Sequence, residues 1–238
     1  MRRNEPPWLQ RLREQLADLT APAAGELWPS PGAGMPAFFN YRMEHVRQVE
    51  RDARALLDAV GGDADVVLAA VWTHDRCEPA FGVEAHGRMA AEWAGEHLAD
   101  TGFPPAKVRA VCFAVAHHSD APGAIPPEAH EARVLWDADK LAHSGPHEVL
   151  TLLMNNIAAD RLRELADDSA FPDQAFTLEG FFRAKLAHLL GKELRSDRFY
   201  FGPSRRWAGE RFQALSAFVA CLHRQVAAGA EPGEPKSQ

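Results

Sequence analysis

Two seven-residue runs constrain this chain more than any other feature: Val66-Val67-Leu68-Ala69-Ala70-Val71-Trp72 and Ala110-Val111-Cys112-Phe113-Ala114-Val115-Ala116. Each is apolar on every side, so each predicts a helix buried at the centre of a fold. Neither approaches the ~20 residues that span a bilayer. The 238 residues include 42 Ala but only 2 Ile and 5 Thr. A chain rich in the best helix former and poor in β-branched residues is all-α. Both runs also end alike, the first in Thr73-His74-Asp75 and the second in His117-His118-Ser119-Asp120. Each central helix therefore delivers imidazole and carboxylate groups at its C-terminal end, where burial without a partner is costly. The partial negative charge of a helix C-terminus suits a cation there.

The remaining composition excludes several classes. Hydrophobic residues at 46% and charged residues at 25% are those of a folded protein rather than a disordered one. The net charge of −7 opposes generic nucleic-acid binding. Cys77, Cys112 and Cys221 are odd in number and form no CxxC, which fits reduced thiols in a cytoplasmic protein. The opening Met1-Arg2-Arg3-Asn4-Glu5-Pro6-Pro7 leads into no apolar stretch, so neither a secretory signal nor a membrane partner is expected. Phosphate-loop, dinucleotide, GxSxG and HExxH patterns are absent from the sequence.

Periodicity predicts one all-α domain over 1–238. Apolar spacing at Trp8, Leu9, Leu12, Leu16 and Leu19 gives a first helix, and 21–36, rich in Pro, Gly and Ala, reads as a loop, so 1–39 is a helix and loop. A second helix begins near Asn40 and stops at Gly61-Gly62; Asp63 or Asp65 caps the next. A loop around 78–82 precedes a helix over 84–99, Pro104-Pro105 open another through Ala116, and 128–142 is helical, closing a core of about 40–145. A helical extension over 146–228 follows, with helices near 148–165, 178–190 and 205–228, and then a frayed tail over 229–238.

Of the 11 histidines, several fall in an ordered series with aspartates: His45, His74-Asp75, His86, His117-His118 and Asp139. Imidazole and carboxylate together make a ligand set for Zn, Mn, Fe or Ni. The series resembles the HD superfamily of metal-dependent phosphohydrolases, marked by a His, a His-Asp doublet and a distal Asp on a helical core. On that resemblance His45 is the first His, His74-Asp75 the doublet and Asp139 the last Asp, while His86 and His118 match the extra histidines of two-metal members. The resemblance covers about 41–145, and 181–186 and 208–212 resemble the helical tail of small stand-alone bacterial HD hydrolases. Departures are Arg76-Cys77-Glu78-Pro79 after the doublet and Ser119-Asp120 after the His pair. His117 stands as a second candidate beside His118. Asp137 is an alternative to Asp139, because residues two apart point to different helix faces.

The resemblance implies an HD-domain-like helical bundle with extra C-terminal helices. It implies one or two divalent ions (Mn, Fe, Ni, Co or Zn, with Mg compatible), Asp75 bridging them, and water attacking a phosphoester of a nucleotide or similar small molecule. Arg42, Arg76 and Lys140 are candidates for stabilising phosphoryl charge. Arg205, Arg206 and Arg211, in a segment interleaved with Phe199, Tyr200, Phe201 and Trp207, are candidates for binding the substrate. Alternatives within the fold are a di-iron oxygenase and a non-catalytic, metal-stabilised nucleotide-binding module; a homo-oligomer is compatible with all three. His97, His130, His147, His188 and His223 read as ordinary histidines. His143, one turn after Asp139, also reads that way before it reads as support for a ligand.

Overall fold

A computed structural model describes residues 5–28, 30–158 and 196–228. Its described residues form eight α-helices, with short 3₁₀ turns at Leu98–Thr101, Pro105–Lys107 and Ser196–Arg198, and no strand. The helices are α1 (Pro7–Leu27), α2 (Tyr41–Val60), α3 (Ala64–Thr73), α4 (Glu78–His97), α5 (Val108–His117), α6 (His130–Ala142), α7 (Pro146–Ala158) and α8 (Gly202–Ala228).

Only the first apolar run is buried on every side, as expected; in α5 the second run buries Val111, Ala114 and Val115, whereas Ala110 and Phe113 are exposed because that helix is covered on one side only. All of Val66 to Thr73 in α3 is buried, and α3 meets α1, α2, α4, α5 and α6. Each fully buried Val or Leu there contributes about 1.5–3 kcal/mol, so a charge at Val67 would break the fold. Asp63 caps α3 by accepting from the Asp65 and Val66 N–H groups at 3.0 and 3.4 Å. Asn40 caps α2, accepting from Met43 N–H at 3.1 Å. Gly61, at a φ of 75°, ends α2 in a conformation that side chains disfavour.

The outer helices are tied in by charge. Glu50 of α2 accepts from Trp72 Nε1 at 2.9 Å, Arg54 at 2.8 Å and Arg13 at 2.5 Å, joining α1, α2 and α3. Arg211 of α8 pairs through both terminal nitrogens with buried Asp52 of α2 and donates to the Leu141 carbonyl of α6 at 2.7 Å. The Arg211 side chain also lies against Gly145, between α6 and α7, where a Cβ would come within 3.4 Å of it.

Three boundaries differ from the expectations. Helix α1 continues through Pro22 to Leu27, where a loop is expected; Pro22 forfeits one N–H, and the turn beyond it is held by buried Ala24, whose carbonyl accepts from Trp28 N–H at 2.9 Å. Helix α4 starts at Glu78, with Pro79 in its first turn, a position where the missing N–H costs nothing. Pro104-Pro105 lead into a 3₁₀ turn, and α5 proper begins at Val108. The expected helix over 178–190, the segment 181–186 and the tail over 229–238 lie outside the described residues. No helix among the described residues is long and apolar enough to cross a membrane.

Candidate metal centre

The ends of α3 and α5 meet, and both use the same device. His74 Nδ1 lies 2.7 Å from the Val71 carbonyl, and His118 Nδ1 lies 2.7 Å from the Val115 carbonyl, each three residues back. A carbonyl only accepts, so Nδ1 holds the proton and Nε2 of the neutral ring presents a lone pair to the interior. Burial pushes the His74 pKa down to about 4, which keeps that ring neutral at pH 7. Gly87 of α4 permits the approach of α5: a Cβ there would sit 3.2 Å from both His118 Cε1 and the Val115 carbonyl.

Asp75 lies between two groups of histidines. Its Oδ1 is 3.5 Å from His74 Nε2, 3.5 Å from His118 Nε2 and 3.6 Å from His86 Nε2. Its Oδ2 is 3.4 Å from His45 Nε2 and is paired with Arg42. Asp139 of α6 completes the other side, its Oδ1 lying 3.3 Å from His45 Nε2 and 3.8 Å from His74 Nε2. His45, His74 and Asp139 form one triad and Asp75, His86 and His118 another, with the donor atoms of each within 4.8 Å of one another. Both ring nitrogens of His45 and Nε2 of His74 are buried without a hydrogen-bond partner. Nitrogen lone pairs left unsatisfied beside two carboxylates fit a divalent cation, so the donor set suits the metal that the sequence implies.

The charges agree. Burial alone would raise the Asp75 pKa, but His74, Arg42 and His45 outweigh it and hold the carboxyl well below its usual range. Asp139 is likewise held low against burial by Lys140, His45 and His143. Both carboxylates are therefore ionised and available as ligands.

Other expected residues fall in different places. Lys140 Nζ donates to Asp139 Oδ2 at 2.7 Å and so reaches the cluster. Arg76 turns away to lie 3.8 Å over the Trp93 ring, where cation–π attraction holds it. His117 is 40% exposed and pairs with Asp120 at 2.6 Å, outside both triads. Asp137 is buried on the far face of α6 and accepts the Tyr200 and Phe201 N–H groups at 2.9 and 3.0 Å. Burial pushes its pKa up to about 6 despite those bonds. Arg205 donates to the Phe199 and Tyr200 carbonyls and braces the turn leading into α8, while Arg211 is committed to Asp52. Arg206 is exposed on α8.

Three residues at the centre are not singled out as ligands by the sequence. His143 stacks on His45 with ring centroids 4.6 Å apart, and its Nε2 is 3.5 Å from Asp139 Oδ1. Buried Glu148 meets His143 Nδ1 at 3.2 Å and accepts from Tyr41 Oη at 2.7 Å. Burial and Glu148 raise the Tyr41 pKa, which keeps the phenol a donor. The spacing of four between Asp139 and His143 is a usable local signal; Tyr41 and Glu148 meet across 107 residues and leave none.

No protein-family model matches this chain, and no curated protein is similar to it in sequence. Solved structures are similar in fold. Bacillus subtilis YpgQ in complex with ADP has a TM-score of 0.60 at 16% identity, covering 95% of this chain and 96% of that one. An HD-superfamily hydrolase from Bacillus thuringiensis has a TM-score of 0.59 at 17% identity, covering 92% and 97%. A predicted HD-superfamily hydrolase from an uncultured Thermotogales bacterium has a TM-score of 0.53 at 19% identity, covering 92% and 90%. The chain has the fold of the HD-superfamily hydrolases, and its His, His-Asp and Asp series converges at the centre of that fold.

Proposed function

We propose that this chain is a metal-dependent phosphohydrolase acting on a phosphoester of a nucleotide or similar small phosphorylated molecule. The observation behind it is the two triads on either side of Asp75: in one, both ring nitrogens of His45 and Nε2 of His74 lack hydrogen-bond partners beside ionised Asp139, and in the other ionised Asp75 faces His86 and His118. His45, His74 and Asp139 would hold one divalent ion, and Asp75, His86 and His118 a second. Such ions, when bound, supply a water deprotonated at neutral pH and positive charge for the phosphoryl oxygens.

The chain's own residues supply the rest. Asp75 faces both groups, so its carboxylate fixes their separation. Arg42 and Lys140 are the cations that touch the two carboxylates, and their side chains are 16% and 21% exposed. Each can hold a phosphoryl oxygen at the edge of the cluster. Arg76, committed to Trp93, is a weaker fit to that role than either. ADP bound to YpgQ, a protein of the same fold, supports a nucleotide as the ligand class.

The test is metal analysis of the purified protein, then a panel of nucleotides and other phosphoesters with Mn, Mg, Co and Ni added back. Metal-dependent release of phosphate or nucleoside is expected. Oxygen uptake by the reduced, iron-loaded protein without phosphoester cleavage would establish the oxygenase instead, and nucleotide binding without turnover the non-catalytic module.

A further inference from the structure

One histidine beside Asp139, His143, belongs to neither triad; its donor atom falls within 4.8 Å of those of His45 and Glu148 instead. Three imidazole Nε2 atoms surround Asp139 Oδ1, those of His45 at 3.3 Å, His143 at 3.5 Å and His74 at 3.8 Å. Asp75 Oδ1 is surrounded in the same way, by His74 and His118 at 3.5 Å and His86 at 3.6 Å. Metal–ligand bonds of about 2.1 Å put neighbouring donors about 3 to 3.5 Å apart, so His143 has the spacing of a group that shares a cation with Asp139.

His143 is also supported as a ligand would be. His74 and His118 present Nε2 inward because a backbone carbonyl holds Nδ1. For His143 a side chain does the same work: Glu148 Oε1 meets its Nδ1 at 3.2 Å. Glu148 is itself fixed by Tyr41 Oη at 2.7 Å and Thr151 Oγ1 at 3.4 Å. A carboxylate behind a histidine sets its tautomer and makes it a stronger donor to a metal. His45 adds an independent observation, for its side chain is 1% exposed, it stacks on His143, and neither of its ring nitrogens has a hydrogen-bond partner. Unsatisfied donor capacity therefore sits directly against the face that His143 occupies.

We propose that His143 is a further protein ligand to the cation held by His45, His74 and Asp139, beyond those three and the Asp75 that faces them, with Glu148 and Tyr41 as its positioning residues. The proposal rests on the metal-centre reading above and extends its ligand set by one residue of α6's C-terminus. His143 is 35% exposed, which puts this ligand at the mouth of the cluster and within reach of small molecules.

Cobalt(II) titration of the metal-stripped, full-length protein tests it, read by visible absorption and by calorimetry. His143→Ala should lower cobalt affinity about 10- to 100-fold and change the d–d band envelope, and free imidazole should restore the envelope. Glu148→Gln, which keeps His143, should retain the wild-type envelope with affinity about tenfold weaker. An unchanged envelope and affinity in His143→Ala would overturn the assignment while leaving the two triads standing, and His143 would then be an ion-pair partner of Asp139 and Glu148. Failure of the wild-type protein to take up cobalt would overturn the metal-centre reading and this assignment together.

Discussion

His86 Nε2 and His118 Nε2 stand 2.9 Å apart across the interface of α4 and α5, and Gly87 is what allows it. A methyl group at Gly87 would press on both the His118 ring and the Val115 carbonyl that orients it. Gly87→Ala should therefore weaken metal binding about tenfold with every ligand still present. Calorimetric titration with manganese checks this; affinity equal to wild type would mean that α5 shifts freely and that His118 is not tightly positioned.

The neutral state of His74 has a consequence for stability in acid. An ordinary histidine takes up its proton near 6.5, whereas burial delays this to about 4 in the folded chain. Between those values the unfolded chain binds more protons. The stability gained from neutral His74 is therefore complete above pH 6.5 and is lost as pH falls to about 4, an effect of about 3 kcal/mol. Urea unfolding of metal-stripped protein at pH 7 and pH 4.5 should show that loss, and His74→Gln should lose correspondingly less. Parallel pH profiles for the two proteins would contradict it.

Arg42 and Lys140 should separate binding of metal from turnover. Alanine at either position removes a positive charge at the cluster edge while leaving all six triad residues. An approximately 10²-fold fall in kcat/KM at near-normal metal content is the expected result. Loss of metal from both variants would instead make these residues structural partners of Asp75 and Asp139.

The pairing of Arg211 with Asp52 predicts a purely structural effect. Arg211→Ala leaves the Asp52 carboxylate buried without its cation, which costs about 3 kcal/mol. A melting temperature lowered by several degrees, with phosphoester specificity unchanged, should follow. Altered substrate preference at unchanged stability would restore Arg211 to the substrate site.

Much of the centre was legible because its signals are local. The apolar runs of α3 and α5 place His74 and His118 at their inner ends, and a helical period separates Asp139 from Asp137. Which aspartate faces the cluster was not legible in the same way. It depends on Tyr200 and Phe201, more than sixty residues away, whose N–H groups occupy Asp137. Glu148, Tyr41 and the Asp52–Arg211 pair escaped for the same reason, since tertiary packing rather than spacing brings them together. The early start of α4 and the passage of α1 through Pro22 show proline tolerated where a loop would be read.

The metal-dependent hydrolysis proposed for this chain turns on Asp75, which faces the histidines of both triads. Its most direct test is metal content and manganese-dependent phosphate release, measured together on wild-type and Asp75→Ala protein. The wild type should retain metal and turn over, and the variant should do neither; a fully active Asp75→Ala protein would contradict the account.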